Sequence, residues 1–162
     1  LLITIFILIG VFTRIIPHPP NFTAVGAVAL FGGACFIDKK LSFLIPISIM
    51  LISDLILGYG ITVSVYVGFI IMVLLGLRLT QQRTIPRIIN TAIMASIIFF
   101  IITNLSVFLT STLYSKNIIG FIECYTLAIP FFVNSLIANI LYSLLIFYAF
   151  SVAKNKLLIE IK

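Results

Sequence analysis

A short stretch, Arg14-Ile15-Ile16-Pro17-His18-Pro19-Pro20-Asn21-Phe22, holds the chain's single histidine and three of its six prolines. Proline fixes φ near −65°, so His18 rides on a stiff turn. From there its imidazole can serve as a lid, a ligand group, or an acid or base. Asn21 adds an amide beside it. Further along, Asp54 stands among Ile, Leu and Ser inside an apolar run. An unpaired carboxylate in such a run costs roughly 2.5–3.5 kcal/mol on insertion scales. It needs a partner, a water-filled cavity or a proton. Two readings stay open: Asp54 faces a ligand cavity, or it makes a structural bond to Asn104, Tyr66 or a helix end. The candidate substrate-binding set is His18, Asn21, Asp54, Tyr59, Tyr66, Asn104, Glu123, Tyr125 and Asn134; Asn139 lies deeper in the last helix, outside that set. Asn104 and Asn134 could instead bond across helices, at about 0.6–2 kcal/mol each. Asp54 and the amides mildly favour a positively charged or hydrogen-bond-rich ligand.

Other chemistry finds little support. His18 has no Cys or Asp at ligand spacing, so no metal site is expected. The phosphate-binding G-x-x-x-x-G-K-[ST] pattern is missing, as are G-x-S-x-G and H-E-x-x-H. No catalytic set and no cofactor are therefore expected, and the chain does not read as an enzyme. Leu57-Gly58-Tyr59-Gly60 contains the Gly-Tyr-Gly of potassium filters but lacks the Thr-Val before it. Two alternatives to solute binding stand. One is a non-transport membrane assembly protein. The other is an intramembrane enzyme with Asp54 and His18 as acid and base.

The elements that must position these residues are legible from hydropathy. The chain is 62% hydrophobic and 9% charged. Apolar runs long enough for bilayer-spanning helices recur along it, and the alternation of a β-barrel is missing. Helix breakers and charges divide the runs into helices over about 1–16, 22–37, 41–58, 61–79, 88–112 and 129–153. Residues 118–128 read as an interfacial or re-entrant segment, and Pro130 as the opening of the last helix. The expected fold is an all-α integral membrane protein: a single bundle of six transmembrane helices over residues 1–162.

Sidedness follows from Lys and Arg. Lys39, Lys40, Arg78, Arg83, Arg87, Lys154, Lys156 and Lys162 share one face in a six-span chain, leaving Arg14 and Lys116 on the other. That bias places both termini in the cytoplasm. It also accounts for the net charge of +6 without nucleic acid. The candidate site residues then gather toward the outer leaflet, where several helices could frame one cavity. The second helix carries small residues, with Ala29 and Gly33 four apart. That spacing admits a close backbone, either within the bundle or on a partner subunit. Ala29 and Gly33 are the candidate partner-docking residues.

The run from Arg14 through Phe36, with its Pro-His-Pro-Pro-Asn-Phe core, resembles the N-terminal motif of an uncharacterised bacterial family of transport-type membrane proteins. Ser53-Asp54-Leu55 with Gly58, Thr103-Asn104, and Cys124-Tyr125 followed by Ile129-Pro130-Phe131-Phe132 and Asn134 agree with it. That family is similar to the substrate-binding (S) components of energy-coupling-factor (ECF) transporters. The resemblance implies a subunit in the bacterial cytoplasmic (inner) membrane that takes a vitamin or precursor from the outer face. It also implies a transmembrane coupling subunit and ATPase subunits as partners, with an Ala-rich early helix meeting the coupling subunit. No vitamin-specific motif is present, so the solute stays unnamed.

Overall fold

A computed structural model describes residues 2–160. They form six helices: α1 (Leu2–Ile15), α2 (Val25–Cys35), α3 (Lys39–Leu57), α4 (Val63–Leu77), α5 (Ile85–Thr110) and α6 (Ile118–Glu160). There is no strand among the described residues. Three stretches, Lys39–Leu57, Ile85–Thr110 and Ile118–Lys154, are long and apolar enough to cross a membrane, which supports membrane association. Most of their apolar side chains do not serve the core. Only 17% of the most apolar window of α5 is buried, although its mean hydropathy is 2.4. Leu55, Leu109 and Ile122 are among the large apolar side chains facing outward, an exposure that a water-soluble monomer avoids.

The helices run up and down and leave two distinct ends. One end holds Arg14, the 16–24 loop, Asp54, Tyr66 and Asn104. The other holds the C-terminus of α2 with Lys39 and Arg83. Here α2 is the central element. Its residues Val25–Ala34 are all buried. At 11 residues it is about 16 Å long, and α3, α4 and α6 pack around it. The small residues make this possible. A Cβ on Gly33 would stand 2.2 Å from the Val73 carbonyl oxygen, and one on Gly76 would stand 2.2 Å from that of Leu30. Thus α2 and α4 cross backbone against backbone. This corrects the docking expectation: Ala29 is 0% exposed and Gly33 faces α4, so neither is offered to a partner.

Below that crossing, Phe31 packs against Phe6, Phe36, Phe147 and Phe150 at centroid distances of 5.1, 5.8, 5.3 and 5.2 Å. The end of α2 is closed by groups from two segments, α3 and the connection between α4 and α5. Ser42 Oγ donates to the Gly32 carbonyl (2.7 Å), Lys39 Nζ to Gly33 (2.9 Å) and Arg83 Nη2 to Ala34 (3.0 Å). Two cations at a buried helix C-terminus satisfy its open carbonyls and complement its dipole.

The structure differs from expectation in α6, which is one helix of 43 residues with Pro130 inside it. It is about 65 Å long, so residues 118–128 continue the helix and do not form a separate interfacial segment. Aromatic packing on α5 supports this extension, through Phe108–Phe121 at 5.3 Å and Phe100–Tyr125 at 5.4 Å. The described lengths of α1 and α4 are 14 and 15 residues, shorter than the runs marked out by hydropathy. The Gly-Tyr-Gly stretch is a helix stop. Gly58 caps α3 in the left-handed region at φ +70°, and the Tyr59 N–H bonds the Asp54 carbonyl at 2.9 Å.

The α2–α4 crossing yields a stability prediction. Gly33→Ala and Gly76→Ala should each cost about 1–3 kcal/mol, since backbone must shift to admit a methyl group. Gly60→Ala, where nothing lies within 4 Å of the added Cβ, should stay within about 0.5 kcal/mol of the parent. Thermal unfolding in detergent micelles, followed with a thiol-reactive dye on buried Cys124, measures all three.

Candidate functional site

Arg14 ends α1 and reaches across to α3. Its Nη2 donates to Asp54 Oδ1 at 2.8 Å, an ion pair whose side chains are only 13% and 7% exposed. Its Nη1 contacts Met50 Sδ. From α4, Tyr66 donates its hydroxyl proton to Asp54 Oδ2 at 2.9 Å. Both carboxylate oxygens therefore have partners, and three helices meet at one carboxylate. The charge-assisted bonds answer the cost of burying Asp54.

This junction is one wall of a cavity of about 730 Å³ to which all six helices contribute, a volume usual for small-molecule sites. Phe69, Phe99, Phe100, Phe131 and Phe132 line its sides, and Met72, Ser96, Asn139 and Gly26 its buried end. His18, Asn21 and Tyr59 line the cavity at its exposed side, where Tyr59 is 63% accessible.

Six of the nine sequence-predicted residues line this cavity: His18, Asn21, Asp54, Tyr59, Tyr66 and Asn104. Their local roles are now visible. The His18 ring nitrogens lie 2.7 Å from the Pro19 carbonyl oxygen and 3.3 Å from that of Arg14. The ring thus braces its own turn against the end of α1. Asn21 is in the left-handed region at φ 64°, the only such non-glycine among the described residues. Asparagine tolerates that conformation better than most side chains. Asn104 Nδ2 donates to the Phe100 carbonyl one turn back, at 2.8 Å.

The other three predicted residues lie outside the lining; for Glu123 and Tyr125 the reason is that 118–128 is helix and not a covering loop. Glu123 is exposed and shares the outward face of α6 with Leu127, whereas Cys124 and Ala128 turn inward. Tyr125 donates its hydroxyl proton to the Ile101 carbonyl at 2.8 Å and braces α6 on α5. Asn134 Nδ2 donates to the Pro20 carbonyl at 3.1 Å and holds the proline turn in place. The structure thus places these three apart from the cavity that the other six line.

Residues that the candidate set lacked are Arg14, Ser96 and Asn139. Arg14 was readable as one of only two cations on its face, with Asp54 the one carboxylate well inside a span. Ser96 and Asn139 carry no local marker beyond being polar within apolar helices. His18 and Asp54 make no direct hydrogen bond to each other: the His18 ring lies against the Pro19 and Arg14 carbonyls, and Asp54 accepts from Arg14 and Tyr66.

Fold and site together define a helical bundle with three membrane-length helices and a polar-poled cavity at one end. The sequence profile of the family of unknown function DUF6580 matches residues 1–160, and the chain belongs to that family. No curated protein and no solved structure matches it.

Two substitutions probe the site's construction. Tyr66→Phe leaves Asp54 Oδ2 without a partner and should cost about 1–3 kcal/mol. Asn21→Val forces a β-branched residue into the left-handed region and should cost about 1–2 kcal/mol, whereas Asn21→Gly should be nearly neutral. Thermal unfolding in micelles reads both.

Proposed function

We propose that this chain is the membrane-embedded solute-binding subunit of an uptake system. A small molecule enters the Asp54-end cavity from outside, and partner subunits supply the energy. The observation that carries this reading is the cavity itself: about 730 Å³, framed by every helix, with a buried ion pair at one wall.

Other observations fit the same reading. Lys39 and Arg83 meet at the end opposite the cavity, as they would if that end faced a bacterial cytoplasm. With the cavity then opening outward, the chain sits in the cytoplasmic membrane with both termini inside. The resemblance to ECF substrate-binding components supplies the partner class, a transmembrane coupling subunit with ATPases, and the solute class, a vitamin or precursor. Since the small-residue face of α2 is occupied by α4, a coupling subunit would meet another surface.

The test is purification of the tagged chain from membranes of a native host in mild detergent. The expected result is one small molecule retained at near-equal stoichiometry, with ATPase subunits in the same complex. A preparation with neither would overturn the reading. Orientation is checked separately in a Cys35→Ser, Cys124→Ser background. Asn21→Cys should react with a membrane-impermeant maleimide in intact cells, and Lys40→Cys only after lysis.

A further inference from the structure

Resting on that solute-binding reading, we propose the chemistry of the solute. It is a flat, ring-containing molecule with a hydrogen-bond acceptor, carbonyl or carboxylate, at one end and an N–H donor at the other. Arg14 holds the acceptor and Asn139 the donor.

The two poles of the cavity differ in what they leave free. At the first, each Asp54 oxygen already has a partner: Oδ1 accepts from Arg14 and Oδ2 from Tyr66. Its charge is neutralised by the guanidinium 2.8 Å away. A guanidinium carries five N–H donors, and Arg14 directs one at Asp54 and one at Met50 Sδ. Spare donors therefore remain. This pole suits a carbonyl or carboxylate, and with its charge paired Asp54 draws an ammonium group less than an isolated carboxylate would.

At the buried end the direction is opposite. Asn139, 3% exposed, donates through Nδ2 to Ser96 Oγ at 2.8 Å. Ser96 in turn donates to the Ala92 carbonyl at 3.0 Å. This one-way chain fixes the amide. Asn139 Oδ1 is left without a hydrogen-bond partner among the described residues. It points at Gly26, where an added Cβ would stand 2.1 Å from it. Gly26 and Asn139 both line the cavity. An acceptor opening on a cavity selects a donor, because a ligand that covers it without pairing it loses a hydrogen bond. Between the poles, Phe69, Phe99 and Phe100 present aromatic surface suited to a flat ring.

The probe is a fluorescent amino-naphthoate with its amine and carboxylate at opposite ends of the ring system. It is titrated into the full chain in detergent micelles beside the parent naphthoate and naphthylamine. The expected result is that the amino-naphthoate binds at least about tenfold more tightly than either comparator. Asn139→Leu should abolish its advantage over naphthoate while leaving naphthoate binding unchanged. Equal affinity for all three, or no binding of any at millimolar concentration, overturns the proposal. So does an Asn139→Leu variant that weakens both carboxylates alike, which would mark a purely structural residue. The comparison within the parent protein stands even if the variant fails to fold. A native solute that co-purifies while the naphthoates do not bind defeats this ligand chemistry alone. Absence of any co-purifying solute counts against the solute-binding reading itself.

Discussion

One ion pair sets the terms for the cavity end of this bundle. Asp54 is buried in an apolar helix, and its charge is tolerable there only because Arg14 and Tyr66 come to it from α1 and α4. That requirement fixes where α1 must end, which turn of α4 faces α3, and how far the Pro17–Pro20 turn can travel. It also decides what the cavity presents. A free carboxylate would attract cations, whereas a neutralised one lends its partner's remaining N–H donors to the cavity.

The rest of the frame follows from a second constraint, the burial of α2. A short helix wholly enclosed by its neighbours must lose its side-chain bulk where it crosses one of them and must close its open carbonyls. Gly33 and Gly76 meet the first demand, and Ser42, Lys39 and Arg83 the second. With α2 fixed, Gly26 at its other end becomes part of the cavity's buried end. The packing core and the candidate site are thus one continuous element. A change at the α2–α4 crossing is expected to be felt in the cavity through the position of α2.

Much of this was legible in residues. Hydropathy runs with breakers between them marked all six helices, because Asp38-Lys39-Lys40, Gly58-Tyr59-Gly60 and Arg78 to Pro86 interrupt apolar stretches. Asp54 announced itself as an anomaly of burial. What stayed hidden depended on direction. Ala29 and Gly33 have a spacing that permits close approach, but spacing does not say whether the neighbour is this chain or another. Pro130 follows a segment containing Glu123, a local pattern that fits a helix start, yet α5 gives residues 118–128 a surface to pack on and the helix runs through. Arg14 counts as a topological charge until α3 brings Asp54 beside it. Asn139 and Ser96 pair across 43 positions, a relation that no local pattern carries.

The central claim is that Arg14 and Asp54 act as a unit, and a double-mutant cycle tests it most directly. Stability in detergent micelles is measured for Arg14→Met, Asp54→Leu and the double variant. Arg14→Met leaves a buried carboxylate unpaired and should lose about 3–5 kcal/mol, and Asp54→Leu should lose a comparable amount by stranding the guanidinium. The double variant removes both charges and should recover most of that loss, so that the two effects are far from additive. Losses that simply add would contradict the account and show that the two side chains are held in place independently.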